Sequence, residues 1–293
     1  VTPSPRVLSL GARAVGDGQP CYVVAEIGVN HNGSLDVARR LVDAAHAAGC
    51  DAVKFQKRTP ELATPPEMRD TVRETPWGPM TYLAYRRRVE FGEAEYGALD
   101  RHCRSLGLTW FASCWDEPSV DFIERFDPPC HKIHSAAVTD GPLLDRLHAT
   151  GRPLVLSTGM STMEQIATAV ARLEGRPLLL THSTSTYPCP PEEINLRMIA
   201  TLRAAFPYPV GYSGHEVGLP TTVAAVALGA CYIERHLTLD RAMWGSDQAA
   251  SVEPGGFERL VHYVRTVETA LGDGVKRVYE SERPGMARLR RTG

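Results

Sequence analysis

Residues 211–248, GYSGHEVGLPTTVAAVALGACYIERHLTLDRAMWGSDQ, decide the fold. A short apolar run closes on Ser213-Gly214-His215, and an amphipathic segment follows from Pro220 to Leu228. A second apolar run, Cys231 to His236, also closes on a histidine. The order is strand, helix, strand, loop. Consecutive strands of a parallel sheet bring both imidazoles to one edge, where α/β folds place their ligands. Neutral imidazole is a good ligand for divalent ions. For one histidine, a satisfied structural role is the better reading. Two at matched positions, with Asp247 following, favour a metal pair, His215 and His236.

Working outward, the same unit recurs. Cys21 to Ile27 reads as a buried strand, Ser34 as an N-cap, Leu35 to Ala48 as a helix closed by Gly49, and Asp51 to Gln56 as the next strand. The rhythm breaks at 58–88, a long segment with five prolines plus Trp77, Tyr82 and Tyr85. A loop of that length inside a compact domain is expected to act as a lid. Strands then follow at Leu108 to Ser113, Cys130 to Ile133, Leu154 to Ser157 and Leu178 to Thr181, with helices between them, the last from Ile194 to Phe206. A closing helix spans Phe257 to Leu271. Eight strands alternating with helices predict a TIM (β/α)8 barrel, an α/β fold. The alternative, an open doubly wound sheet, lacks the G-x-G-x-x-G it should carry. The expected division is an extension with a short hairpin over 1–19, the barrel over 20–275, and a basic, weakly patterned tail over 276–293.

Composition narrows the function. The chain has 293 residues, 23% charged and 43% apolar, with a net charge of −2. There is no basic field for nucleic acid, no apolar run of the ~20 residues a membrane helix needs, and no signal core at the start. Seven cysteines with no C-x-x-C pair predict a reduced, cytoplasmic protein without a disulfide framework.

Barrel chemistry gathers at the carboxyl ends of strands. Those ends carry Glu26, Lys54 with Gln56, Ser113, Lys132 with Ser135, Ser157, the run His182 to Ser185, Ser213 and the two histidines. Two lysines among hydroxyls suit a phosphorylated, carboxylated anion. The plain alternative is that each lysine pairs with a carboxylate, Lys54 with Glu26 for example. Beside a metal, such a site holds an anion next to a Lewis acid, with Glu26 as acid or base.

These residues also carry a resemblance. Ala25 to Lys57, AEIGVNHNGSLDVARRLVDAAHAAGCDAVKFQK, resembles the opening of the sialic acid synthase family. HKIHS at 131–135, LSTGM at 156–160, THSTSTYPCP at 181–190, GYSGHEVG at 211–218 and ERHLTLDRAMWGSD at 234–247 are similar to further motifs of that family. The resemblance implies a barrel that condenses phosphoenolpyruvate with an aldose, giving a 2-keto-3-deoxy sugar acid and phosphate. It implies a divalent metal, Mn or Mg, on His215 and His236. Lys54, Ser113, Lys132, Ser135, Ser157 and Ser213 match phosphoenolpyruvate-binding positions; Glu26, Tyr187 and Asp247 match residues around the reacting centre. Ser185 and Gln56 join the expected substrate contacts. The family's usual Glu is Ala137 here, its S-D-H-T is Ser213-Gly214-His215-Glu216, its G-P-D-H is Gly245-Ser246-Asp247-Gln248, and its Asn before the Tyr is Ser185. The family also carries a small antifreeze-like domain reaching across a homodimer. This chain stops at the linker, so an acceptor other than N-acetylmannosamine is expected, with homodimer formation as the assembly to test. The competing expectations are a metal-dependent pyruvate aldolase and a non-catalytic sugar-binding relative.

Overall fold

The computed structural model describes residues 6–292. Strands β1 (Val7–Leu10) and β2 (Arg13–Gly16) form an antiparallel hairpin. Strands β3 (Tyr22–Gly28) and β4 (Ala52–Lys57) open the barrel. Strands β5 (Val72–Arg73) and β6 (Met80–Thr81) pair within the 58–88 segment. The barrel continues with β7 (Thr109–Cys114), β8 (His131–Ile133), β9 (Leu154–Ser157), β10 (Leu178–His182), β11 (Val210–Gly214) and β12 (Tyr232–His236). All neighbours in the barrel are parallel, and β12 pairs with β3 to close it.

Side chains alternate across each strand with period two, so every barrel strand has an inner and an outer face. On β3, Val23, Ala25 and Ile27 point outward and pack in one apolar cluster with helix residues Ala38, Leu41 and Val42. Tyr22 and Val24 point inward, in a second cluster with Ala52, Phe111, Cys130, Val155, Leu179 and Tyr232. Leu8, Leu10 and Val15 of the hairpin belong to that inner cluster. The hairpin therefore seals the amino-terminal end of the barrel, and the carboxyl-terminal end is left for polar groups.

Local signals account for most helix ends. Ser34 accepts from the Val37 amide at 3.3 Å at the start of helix Leu35–Ala47, and Gly49 follows its end at φ +80°. Three expectations need correction. The 58–88 segment is not plain loop: it holds a short helix Pro60–Ala63, the β5–β6 hairpin and helix Tyr82–Val89. The helix read over 194–206 is two, Pro191–Ile194 and Met198–Ala205, because Asn195 adopts the left-handed conformation at φ +49° and ends the first. The tail carries a 3-10 turn, Glu280–Glu282, and a helix, Arg283–Leu289. No helix among the described residues is long and apolar enough to cross a membrane. All seven cysteines are buried free thiols.

Candidate active site

The inward register carries polar residues toward the barrel mouth. Glu26 stands beside His236 on one neighbour and Lys54 on the other; Gln56 faces Ser113, which faces Lys132; Ser213 faces Glu234. They surround a cavity of about 240 Å³ together with Ser135, Ser157, Ser185, Tyr187 and His215. Asp247 is the one expected site residue outside that lining, although its Oδ2 lies 3.8 Å from His236 Nδ1.

The floor is a compensated charge cluster. Lys54 Nζ lies 2.7 Å from Glu26 Oε2 and 3.7 Å from Glu234 Oε1, and donates to Ser113 Oγ at 2.8 Å. Lys132 Nζ donates to Glu234 Oε2 at 3.0 Å. Glu234 also accepts from Tyr232 at 2.6 Å and Ser213 at 3.3 Å. The lysines are thus paired with carboxylates as well as facing the cavity, and the expected Lys54–Glu26 pair is present. Burial opposes every one of these charges. For Lys54, the carboxylates of Glu234 and Glu26 outweigh burial, and its pKa lies above the ordinary lysine value. For Lys132 burial dominates, with Lys54 adding repulsion, and its pKa is lowered. Burial raises the pKa of Glu26 despite Lys54, with the charge of Glu234 pushing the same way. Glu234 is held below the ordinary carboxylate range, because Lys132 and Lys54 overcome the cost of its burial.

A hydroxyl cradle lies on one wall. Ser135 Oγ donates to Ser157 Oγ at 3.0 Å. A Cβ on Gly159 would lie 2.4 Å from Ser185 Oγ and 2.6 Å from Ser135 Oγ, so only glycine lets these hydroxyls converge. Ser185 Oγ is buried without a partner.

The histidines occupy another wall. Their ring centres are 5.6 Å apart, and Tyr187 lies 4.0 Å from His215 and 5.9 Å from His236, centre to centre. His215 Nδ1 is 2.8 Å from the Thr184 carbonyl, which fixes the N–H on Nδ1 and leaves Nε2 as a lone pair. His236 Nδ1 is buried without a hydrogen-bond partner. Burial, and then the neighbouring His236, lower the His215 pKa to about 4, so a neutral ligand is the resting form. Two imidazoles side by side fit a divalent ion that takes its other ligands from water or substrate. No group of three or more His, Cys, Asp or Glu among the described residues is arranged to hold one alone.

Behind this wall sits a second buried ion pair. Arg235 points outward from β12, donates from Nη1 to Glu216 Oε1 at 3.1 Å and to Thr222 Oγ1 at 2.8 Å, and reaches the Glu216 carbonyl. Tyr212, Thr221 and Thr222 also donate to the Glu216 carboxylate. A Cβ on Gly214 would lie 2.4 Å from Glu216 Oε2 and 2.6 Å from the Tyr212 ring. Gly214 and Glu216 are therefore one unit: the carboxylate at 216 fills the space beside 214. Gln248 is a tie as well, accepting from Thr238 Oγ1.

Sequence reasoning missed Glu234, Trp115, His134 and Met160, which also line the cavity. For the first three the signal was parity: Glu234 is two before His236, Trp115 two after Ser113, and His134 two after Lys132. Met160 had no such signal. The segment 58–88 reaches the mouth through aromatics, since Tyr85 and Trp77 pack on Trp244, three residues before Asp247.

A closed parallel barrel with acids, lysines, hydroxyls and a histidine pair at its carboxyl mouth defines an enzyme. The chain belongs to the NeuB family, whose profile matches residues 41–276. It is 41% identical over 276 residues to an N-acetylneuraminate-9-phosphate synthase of Homo sapiens, covering 92% of this chain and 76% of that protein. It is 34% identical over 291 residues to an N,N'-diacetyllegionaminic acid synthase of Legionella pneumophila, covering 96% and 82%. The solved structure of an N-acetylneuraminic acid synthetase from Leptospira borgpetersenii superposes with a TM-score of 0.86 at 29% identity, covering 100% of both chains. Membership makes the protein a phosphoenolpyruvate-dependent sugar acid synthase in class, a carbon–carbon bond-forming transferase.

Proposed function

We propose that the chain condenses phosphoenolpyruvate with an aldose at the barrel mouth, giving a 2-keto-3-deoxy sugar acid of the sialic acid kind and inorganic phosphate. The observation that carries this reading is the pairing of two buried lysines and a serine cradle with two adjacent imidazoles around one cavity. Lys54, with Ser113 and Ser213, is placed to take one anionic group, and Lys132, with Ser135, Ser157 and Ser185, to take the other. The enol carbon attacks the aldehyde carbon, water adds to the cationic carbon that carried the double bond, and its bond to the phosphate oxygen breaks. Lys54 and Lys132 offset the charge of the two anionic groups through these steps. Glu26 faces the cavity and is placed to handle the proton of the water or hydroxyl. Tyr187 leans over the histidines, and Asp247 stands beside His236, on the side where the acceptor enters. A divalent ion, Mn or Mg, on His215 and His236 would supply Lewis-acid polarisation of the acceptor carbonyl.

Two further readings go with this one. An acceptor other than N-acetylmannosamine is supported by Ala137, which is buried outside the cavity where the family pattern carries Glu. A cytoplasmic site of action is supported by seven unpaired thiols. The test is a screen of aldoses with phosphoenolpyruvate and Mn, following phosphate release. Release with at least one aldose is expected; none with any aldose, in folded, metal-loaded protein, overturns the reading.

A further inference from the structure

Gln56, Ser113 and Lys132 each have an inward successor two residues on: Arg58, Trp115 and His134. Because β4, β7 and β8 are adjacent, these successors form one layer at the mouth. They stack on one another. The His134 ring lies 4.0 Å from the Trp115 ring at 18° between planes, and the Arg58 guanidinium carbon lies 4.5 Å from the Trp115 ring centre. Trp115 is thus held by a stacked imidazole and a guanidinium at once.

The stack satisfies ring faces but not ring edges. Trp115 Nε1 and both ring nitrogens of His134 are shut off from solvent without a hydrogen-bond partner. Leaving such a donor or acceptor unpaired is unfavourable. Trp115 and His134 line the cavity, so a ligand seated there can supply what is missing. Burial, then the cations Arg58, Lys54 and Lys132, hold the His134 pKa down to about 3. The imidazole is therefore neutral, with one N–H and one lone pair, beside an indole N–H. An ionised carboxylate or fully ionised phosphate cannot donate to that lone pair; a sugar hydroxyl both donates and accepts. The neighbouring Ala136 and Ala137 offer no side-chain polar group in competition.

From this geometry we infer that the edges of Trp115 and His134 form a hydroxyl-reading subsite for the aldose, with Arg58 clamping the stack from behind. This rests on the proposed condensation and names the residues that select its acceptor. The subsite reads neutral hydroxyl groups rather than a charged substituent. Arg58 is a positioning residue, fixed also by its donation to the Gln56 side chain.

Trp115→Phe keeps the stack and removes one N–H; His134→Ala removes both nitrogens. The experiment compares these variants with the parent in two ways, each with N-acetylmannosamine, mannose and the monodeoxy analogues of mannose as probes. The first is steady-state kinetics of phosphate release. The aldose KM should rise about tenfold for Trp115→Phe, the equivalent of one neutral hydrogen bond, with the phosphoenolpyruvate KM unchanged. The variant should also lose the parent's preference against one particular deoxy analogue. An unchanged aldose KM, or an equal rise for both substrates, overturns the inference. The second is calorimetric titration of the sugars into protein loaded with Mn and inorganic phosphate in place of phosphoenolpyruvate, which involves no turnover. If the parent releases no phosphate, the condensation fails on its own terms, while weaker sugar binding by both variants still supports the subsite. Equal binding by all three proteins, or no sugar binding by the parent, overturns it.

Discussion

The two ends of the barrel interior are built on the same eight strands and the same alternation, yet filled by opposite means. The amino-terminal half is apolar, with Tyr22, Val24, Phe111, Val155 and Leu179 closed off by Leu8, Leu10 and Val15 of the hairpin. The carboxyl-terminal half is equally buried but holds Glu26, Lys54, Lys132 and Glu234. Apolar packing needs no exact partner, and it stabilises in proportion to area. Buried charges stabilise little for their cost, and removing one partner strands the other. A barrel that needed only to fold could be filled from end to end like its lower half. The charges at the top therefore fit the role in the condensation proposed for them.

The largest effect should come from separating those two contributions at Lys132. Lys132→Met is expected to lower kcat/KM for phosphoenolpyruvate by roughly 10²–10³-fold, as loss of one preorganised donor does. It should also destabilise by about 3–5 kcal/mol, because Glu234 loses its nearest cation. Adding Glu234→Gln restores neutrality and keeps an acceptor for Tyr232, so urea unfolding should recover most of the stability while activity stays lost. Activity returning together with stability would show that the charges serve folding alone.

At the other end, Leu10→Ala is the matching test. Leu10 is 1% exposed, and its truncation should cost about 2–5 kcal/mol. Both Michaelis constants of the folded variant should equal the parent's. A changed KM at this distance would mean the seal and the mouth are coupled, and the contrast between the ends would fail.

The contrast also explains what could be read from sequence. The alternation of strands and helices, and the inward lysines and histidines, were legible because strand periodicity is strict and charged residues in apolar runs are conspicuous. Glu234 was passed over because it lies between Ile233 and Arg235 in a run that reads as charged on both faces. Parity with His236 was the one signal in the sequence, and the structure shows Glu234 turned into the barrel while Arg235 turns out to Glu216. The fold of residues 58–88 was hidden for another reason. Its β5–β6 pair is two residues long on each side, too short for a periodic signal, and it is anchored by distant aromatics, Tyr85 and Trp77 on Trp244. Gly214 and Glu216 read as two separate positions in the sequence and are packed as one, visible only when the carboxylate is seen to occupy the space beside the glycine.

The smallest effect expected is a sensitivity to acid that belongs to the upper end. His31, stacked on Phe91, and His134, stacked on Trp115, are both held near a pKa of about 3, by burial first and then by Arg58, with Lys54 and Lys132 adding to the effect on His134. In the unfolded chain each titrates at about 6.5. Their contribution to stability is therefore complete above that value and is lost as pH falls through the window between the two, because the unfolded state binds the protons first. Each should contribute a slope of up to about 1.4 kcal/mol per pH unit within the window. His182 and His215, also lowered, act in the same sense, while Glu26 and Glu90, raised by burial, act against it. Variant slopes isolate the two histidines from that background. Urea unfolding between about pH 7 and pH 5 should show a flatter dependence for His31→Gln and for His134→Gln than for the parent, each by up to one proton's worth. Both sites lie above the charged layer, so Leu10→Ala should lower the whole curve without changing its slope. Equal slopes for the histidine variants and the parent would mean that these rings take up protons in the folded protein as readily as in the unfolded chain, and the neutral imidazole required to read a sugar hydroxyl would then be lost below about pH 6.5.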